Sequence, residues 1–206
     1  MVLKKKRLSS RKEPNQDRAV STVDAILTAT THILDTKGFE ETSTNKIAEK
    51  AGVSIGSLYQ YFPNKESIIA MMLERHINKQ AAKLEARVAD LTTANLEETI
   101  RALLKVVFEE KRNSPKINRI LAQRFAALNQ LDVMIKTDDY LVEVFKRNIK
   151  PYEAEIRMEN LDMSLYLVVQ MAKLLPISLL FSKRYTIEDE AVFEECVQLI
   201  YRFLKK

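Results

Sequence analysis

The sequence predicts an all-α chain, and two observations carry that expectation. Only three glycines occur among the 206 residues, Gly38, Gly52 and Gly56, and none lies between Ser57 and Lys206. A β-rich or doubly wound domain needs turn glycines throughout, so this stretch argues for helices joined by polar loops. Apolar residues also recur at helical spacing, and the breaks between them carry capping residues or prolines rather than hairpin signals.

The elements follow in order. Val23, Ile26, Leu27, Ile33 and Leu34 place a first helix near Ser21–Lys37, with Gly38 just past its end. Within Ser43–Lys65, read STNKIAEKAGVSIGSLYQYFPNK, three helix starts follow one another. Ser43 caps a helix whose apolar face is Ile47, Ala48 and Ala51, and Gly52 ends it where a left-handed residue is needed. Val53 plugs the turn, Ser54 caps again, and Leu58 and Phe62 anchor a short second helix. Asn64 caps a long helix reaching about Asp90, roughly 40 Å at about 1.5 Å per residue. Thr92-Thr93-Ala94-Asn95 interrupts it. Helices are expected over Leu96–Arg112 and from Pro115, in a first turn, toward Leu128. A helix over Asp138–Arg157 contains Pro151 and should kink there. Asp162–Phe181, with Pro176 near its end, and Glu188–Leu204 complete the chain.

Composition narrows the function classes. The single cysteine, Cys196, excludes an intramolecular disulfide and suits a reducing cytoplasm; among Val192, Phe193, Val197 and Ile200 it reads as a packed core residue. The start MVLKKKRLSSRK lacks the apolar region of a signal peptide. Leu165–Phe181 is the most apolar stretch, but Gln170, Lys173 and Ser178 make it too polar and too short for a bilayer span, so no membrane partner is expected. His32 and His76 stand on separate helices without Cys or carboxylate at metal-ligand spacing, and no glycine-rich phosphate loop occurs. No metal, no cofactor and no catalytic residue is expected; the chain reads as a non-enzyme.

Charge points to nucleic acid. Residues 1–20 hold Lys4, Lys5, Lys6, Arg7, Arg11, Lys12 and Arg18 against Glu13 and Asp17, an excess equal to the +5 of the whole chain. Low apolar content and Pro14 mark this stretch as a flexible basic arm, suited to lying along phosphates or entering a minor groove. Helix N-termini usually attract acids into their first turn. The helices after Ser43 and Ser54 have none, and the one after Asn64 starts with Lys65, an arrangement suited to a phosphate arriving from outside. Helix, tight glycine turn and helix is the geometry that presents its second helix to the major groove of DNA.

GFEETSTNKIAEKAGVSIGSLYQYFPNKESIIAMML resembles the N-terminal domain of the TetR/AcrR family of transcriptional regulators, closely over about Ser21–Leu73. The motifs that carry the resemblance are Gly38-Phe39, Ile47-Ala48, Ala51-Gly52-Val53-Ser54, Leu58-Tyr59, Tyr61-Phe62 and Asn64-Lys65-Glu66. It implies an all-helical homodimer that binds a palindromic operator and releases it when a small molecule enters the C-terminal domain. The expected division is a basic arm over 1–20, a helix-turn-helix domain over 21–66 and an effector-binding and dimerisation domain over 67–206. The alternative is a constitutive or protein-controlled DNA binder without an inducer.

The resemblance and the caps together assign phosphate contacts to Ser43, Thr44, Ser57, Tyr59, Tyr61 and Lys65, with Lys46 beside them. Base readout falls to Asn45, Ile55, Gly56 and Gln60. Gln60 can pair bidentately with adenine and Ile55 can meet a thymine methyl. Gly56 costs its helix on the order of 1 kcal/mol against Ala, which close backbone approach to DNA would justify. Phe108, Phe125, Tyr140, Phe145, Met158 and Tyr166 are expected to wall a pocket for an apolar or amphipathic effector, with Arg124 and Gln170 as polar contacts. Leu165 to Leu175 leaves almost no polar face, and a helix apolar all round must be covered on both sides. The dimer interface is therefore expected on the last two helices at Val169, Lys173, Ile177, Val197, Ile200 and Leu204.

Overall fold

A computed structural model describes residues 13–89, 91–124, 131–157 and 159–206. It contains α1 (Glu13–Lys37), α2 (Thr44–Ala51), α3 (Ile55–Tyr61), α4 (Lys65–Val88), α5 (Leu96–Asn113), α6 (Pro115–Arg124), α7 (Leu131–Ile149), α8 (Leu161–Leu179) and α9 (Glu190–Leu204). No strand occurs among the described residues; the one bridge pairs Ile156 with Lys205. The chain is all-α.

It divides into two compact units, Met1–Met72 and Leu73–Lys206. In the first, α1 packs on α2 and α2 on α3. Ile26, Leu34, Ile47, Leu58, Ile68 and Ile69 are fully buried there, with Phe62 and Met72 beside them. The first two turns of α4 thus belong to this unit, which therefore ends beyond residue 66. Helix α1 starts at Glu13 rather than near Ser21. Pro14 is tolerated because the first turn has no N–H bond to lose. Lys4, Lys5, Lys6, Arg7, Arg11 and Lys12 lie outside the described residues.

In the second unit α5 is central, packing against α7, α8 and α9. Its buried stripe of Leu96, Ile100, Leu103, Leu104 and Phe108 joins Val144, Phe145, Leu165, Val168, Val169, Val197 and Ile200 in one core. Phe108 meets Phe193 edge to face, ring centres 5.2 Å apart at 79°. Cys196 sits in this core, and burial raises its thiol pKa to about 11. Where a kinked helix was expected, α7 ends at Ile149 and a 3-10 turn over Lys150–Tyr152 follows. Pro151 has no N–H to donate, and its ring crowds the carbonyl four residues earlier, so the helix stops instead of bending. The loop beyond is pinned to the C-terminus by Arg157 N–H donating to Leu204 O and Lys206 N–H to Glu155 O, each at 2.9 Å.

Candidate nucleic-acid interface and interior cavity

The reading unit is built by caps. Ser43 is extended (φ −136°) and its Oγ accepts from Lys46 N at 3.3 Å, starting α2. Gly52 closes α2 at φ 68°, its N–H reaching back to Glu49 O at 3.1 Å. Only a left-handed residue reverses the chain this tightly, and glycine does so without a Cβ penalty. Ser54 Oγ accepts from Ser57 N at 3.0 Å and starts α3. Asn64 Oδ1 accepts from Ser67 N at 2.8 Å and starts α4. Three helix N-termini arise within a short stretch of chain, and the first turns of α2 and α3 hold no acid. The first turn of α4 does hold one, Glu66.

Leu58 and Phe62 face inward, so the opposite side of α3 is exposed: Ile55 (40%), Tyr59 (51%) and Tyr61 (38%), together with Gly56 and Gln60. An apolar residue and two tyrosines left in water on a seven-residue helix are unexplained by folding alone. Tyr59 Oη lies 3.2 Å from Thr44 Oγ1, which ties α3 to the start of α2. Lys65 Nζ stands over the Phe39 ring, 4.4 Å from its centre. Lys46 Nζ is held by Glu41, bonding its Oε2 and its backbone oxygen at 2.9 Å each. That bond holds the Glu41 carboxyl below its usual range. Lys46 therefore starts from an ion pair rather than from open solvent. Asn45 is exposed, and Ser43, Thr44 and Ser57 are half-buried. Val53 is half-buried too, less enclosed than a plug in the turn would be.

The second unit holds a cavity of about 300 Å³. Its wall is apolar: Ile77, Ala81 and Leu84 of α4, Val106 and Val107 of α5, Leu121 and Ala122 of α6, Leu141 of α7, Leu174 and Ile177 of α8. Polar groups converge at Gln80, Glu110, Lys111, Thr137 and Lys173. Lys111 Nζ donates to Gln80 Oε1 at 2.8 Å, and Gln80 Nε2 donates to His76 Nε2 at 3.0 Å. Burial lowers the His76 pKa to about 4, so the ring is neutral near pH 7 and can accept that bond. Glu110 is held by Lys83 at 2.9 and 3.1 Å. Lys173 pairs with buried Asp138, which also accepts from Gln170 at 2.8 Å. Burial pulls both lysines down to about 8, and for Lys111 the charge on Lys173 adds to the effect.

Two family models match the chain. Residues 26–72 match "Bacterial regulatory proteins, tetR family", and residues 95–204 match "Tetracyclin repressor-like, C-terminal domain". This chain belongs to the tetR family of bacterial regulatory proteins. As a TetR-family member it is a DNA-binding transcriptional regulator with a helix-turn-helix. It is 29% identical over 97 residues to the nucleoid occlusion factor SlmA of Mannheimia succiniciproducens, spanning 47% of this chain and 44% of that one. It is 34% identical over 85 residues to the nucleoid occlusion factor SlmA of Actinobacillus pleuropneumoniae serotype 5b, spanning 41% of each. The chain thus matches less than half the length of these curated relatives. Its fold is similar to that of a TetR-family regulator from Haemophilus influenzae (TM-score 0.64, 21% identity, 92% of this chain and 99% of that one). It is similar too to a TetR-family regulator described from Mesorhizobium loti (TM-score 0.71, 18% identity, 92% and 99%).

Within this TetR-family frame, the expected effector residues fall elsewhere than the cavity. Phe108 and Phe145 are buried in the general core. Tyr140 is half-buried, and its hydroxyl donates to Glu85 at 2.7 Å. Tyr166 is 48% exposed, Gln170 is spent on Asp138, and Arg124 ends α6 without lining the cavity. Phe125 and Met158 lie outside the described residues. The expected dimer contacts need correction as well. Val169, Val197, Ile200 and Leu204 are 0–2% exposed inside their own subunit, and Lys173 and Ile177 line the cavity. The apolar surface left over on α8 and α9 is Met163, Tyr166, Leu167, Leu174 and Leu199, each 44–59% exposed. Helix α8 is long and apolar enough to cross a membrane by length and composition, contrary to expectation, yet it lies inside the matched C-terminal domain. An all-apolar helix carries no period by which sequence can separate its inward face from its outward one. The cavity residues that sequence reasoning missed do leave a trace. Gln80 falls between Ile77 and Leu84, and Lys111 follows Leu104 and Val107, each a polar residue on an apolar stripe.

Proposed function

We propose that this regulator is a cytoplasmic homodimeric repressor that binds a palindromic operator and leaves it when a small apolar or amphipathic molecule fills the cavity. The observation that carries the reading is that α4 supplies Ile77, Gln80, Ala81 and Leu84 to the cavity wall, while the same helix begins at Lys65, beside the reading helix. A ligand that prefers one position of α4 therefore biases the helix from which the reader is hung. It can shift the population only by its difference in affinity between the two states.

In this reading α3 enters the major groove. Ile55, Gly56, Gln60 and Asn45 meet base edges, while Ser43, Thr44, Ser57, Tyr59, Tyr61 and Lys65 hold phosphates, Lys46 after release from Glu41. Met163, Tyr166, Leu167 and Leu199 cover a second copy, which sets half-sites about one helical turn apart, roughly 34–36 Å, or somewhat more. The basic N-terminal residues add salt-sensitive affinity.

The test starts with a thermal-shift screen of metabolites, dyes and drugs on the purified protein. A hit is then titrated into a preformed protein–operator complex. Loss of DNA affinity is the expected result. A ligand that binds the cavity and leaves DNA affinity unchanged overturns the inducer reading and favours a constitutive or protein-controlled binder. The 34% identity to a nucleoid occlusion factor keeps that second reading in play.

A further inference from the structure

The cavity is apolar over most of its wall, so a ligand's body would be held by hydrophobic contact. Its charges are what discriminate between ligands. Three ammonium groups stand in or against it, Lys83, Lys111 and Lys173, with two carboxylates, Glu110 and Asp138. Lys83 is matched to Glu110 and Lys173 to Asp138, so one positive charge is left over, and it sits on Lys111. Among the described residues, no carboxylate lies within ion-pair distance of Lys111; its hydrogen bond goes to the neutral amide oxygen of Gln80. That amide is itself oriented, because its NH₂ is committed to His76 Nε2 and, at 3.5 Å, to Glu110 O.

A desolvated ammonium without a counter-charge costs stability, and proteins seldom keep one unless something pairs with it. Folding does not require it here. The position follows buried Leu104 and half-buried Val107 along α5, and Lys111 itself is half-buried at the cavity wall, where an apolar side chain would pack. Burial and the charge on Lys173 weaken its hold on the proton, the charge on Glu110 offsets only part of this, and at a pKa of about 8 it is still mainly charged at neutral pH. The group is a preformed half of an ion pair.

We propose, on the reading of this cavity as the effector site, that the effector is an amphipathic monoanion whose carboxylate pairs with Lys111 and whose apolar body lies between α4, α5 and α8. A neutral ligand would leave the charge unpaired, a cation would repel both Lys111 and Lys173, and a dianion would exceed the single uncompensated charge. The size is bounded too. About 300 Å³ holds about ten heavy atoms at the roughly 30 Å³ that a small group occupies in a liquid. An eight-carbon monocarboxylate fits that volume.

The experiment uses the full-length protein at pH 7 with three probes that share a tail: sodium octanoate, 1-octanol and octylammonium chloride. Binding is measured by calorimetric titration, below micelle formation, on wild type, Lys111→Met and Lys111→Arg. Octanoate is expected to bind wild type about tenfold or more tighter than octanol, the factor that a charge-assisted hydrogen bond supplies. Lys111→Met should remove most of that preference while leaving octanol affinity within about twofold, and Lys111→Arg should restore it. Should Lys111→Met not fold, the three-probe series on wild type decides alone. Equal affinity for octanoate and octanol, or tightest binding of octylammonium, overturns the monoanion while leaving the cavity as a ligand site. No binding of any of the three overturns the effector site itself. Retained octanoate preference in folded Lys111→Met also overturns the proposal, since the charge would then be met elsewhere.

Discussion

Replacing Lys111 by Met should stabilise the protein, although it deletes a hydrogen-bonded residue from the interior. The ammonium's pKa stands at about 8 against an ordinary 10.5. At about 1.4 kcal/mol per pKa unit, that displacement corresponds to roughly 3 kcal/mol of cost for keeping the group charged. Two terms reduce what Met recovers. Part of the side chain remains within reach of solvent, which screens the charge, and Gln80 Oε1 loses its donor at about 1 kcal/mol or more. A net gain of about 1–2 kcal/mol is expected, or a rise of about 2–8 °C in melting temperature for a chain of this size. Urea denaturation followed by helical circular dichroism at pH 7 measures it.

The pH dependence adds a second readout. Between pH 8 and 10.5 the native lysine has released its proton while the unfolded one keeps it, so the unfolded state binds more protons and stability rises with pH. The same holds for Lys173, whose native pKa is also about 8. Above pH 9 the trend is opposed by Cys196, held at about 11, and above pH 10 by Tyr140, held at about 12. These are acids that the unfolded chain ionises first. The clean window is therefore pH 8–9. There wild type should gain stability with pH, and Lys111→Met should gain distinctly less. The charges acting on Lys111 are Glu110 from its own helix and Lys173 from α8, and Lys111 in turn acts on His76 of α4. Lys173, with a native pKa of about 8, also changes charge within that window. A folded Lys111→Met protein no more stable than wild type at pH 7 would refute the reasoning that this charge is held at a cost.

Three further outcomes follow from the geometry. Lys65→Ala should weaken binding to all DNA sequences and flatten the salt slope by about one, whereas Gln60→Ala should relax preference at one base-pair position; mobility-shift titrations across a salt series separate the two. Leu199→Glu, at a position 55% exposed, should leave the fold intact and yield a monomer of 23.8 kDa in sedimentation, while Val197→Glu, fully buried, should unfold the chain. A Leu199→Glu dimer at micromolar concentration would move the interface off this face. Gly52→Ala meets no atom within 4 Å, so its whole cost is the left-handed backbone at φ 68°, about 1–2 kcal/mol. Thermal melting and DNA affinity should fall together, and an unchanged melting temperature would mean that the turn tolerates a Cβ.

By itself, the sequence determined the helical class and the caps of the reading helices. These are local properties. A serine oxygen three residues from an N–H, or a glycine at a helix end, acts whatever surrounds it, so Ser43, Gly52, Ser54 and Asn64 could be read directly. The exposed face of α3 followed as the complement of Leu58 and Phe62. What only the tertiary structure decided is which apolar residues of the second unit face the core, a cavity or open solvent. On α8 nearly every position is apolar, and the choice among Val169 inside, Ile177 on the cavity and Leu167 outside depends on where α5, α6 and α7 approach it. The cavity arises in the same way. It is a gap left by five helices, and volume left unfilled is a property of their relative placement, to which no single stretch of sequence refers. Aromatic residues were a poor guide to it because large rings fill space, whereas Gln80, Lys111 and Lys173 mark the gap by being polar where close packing would have called for carbon.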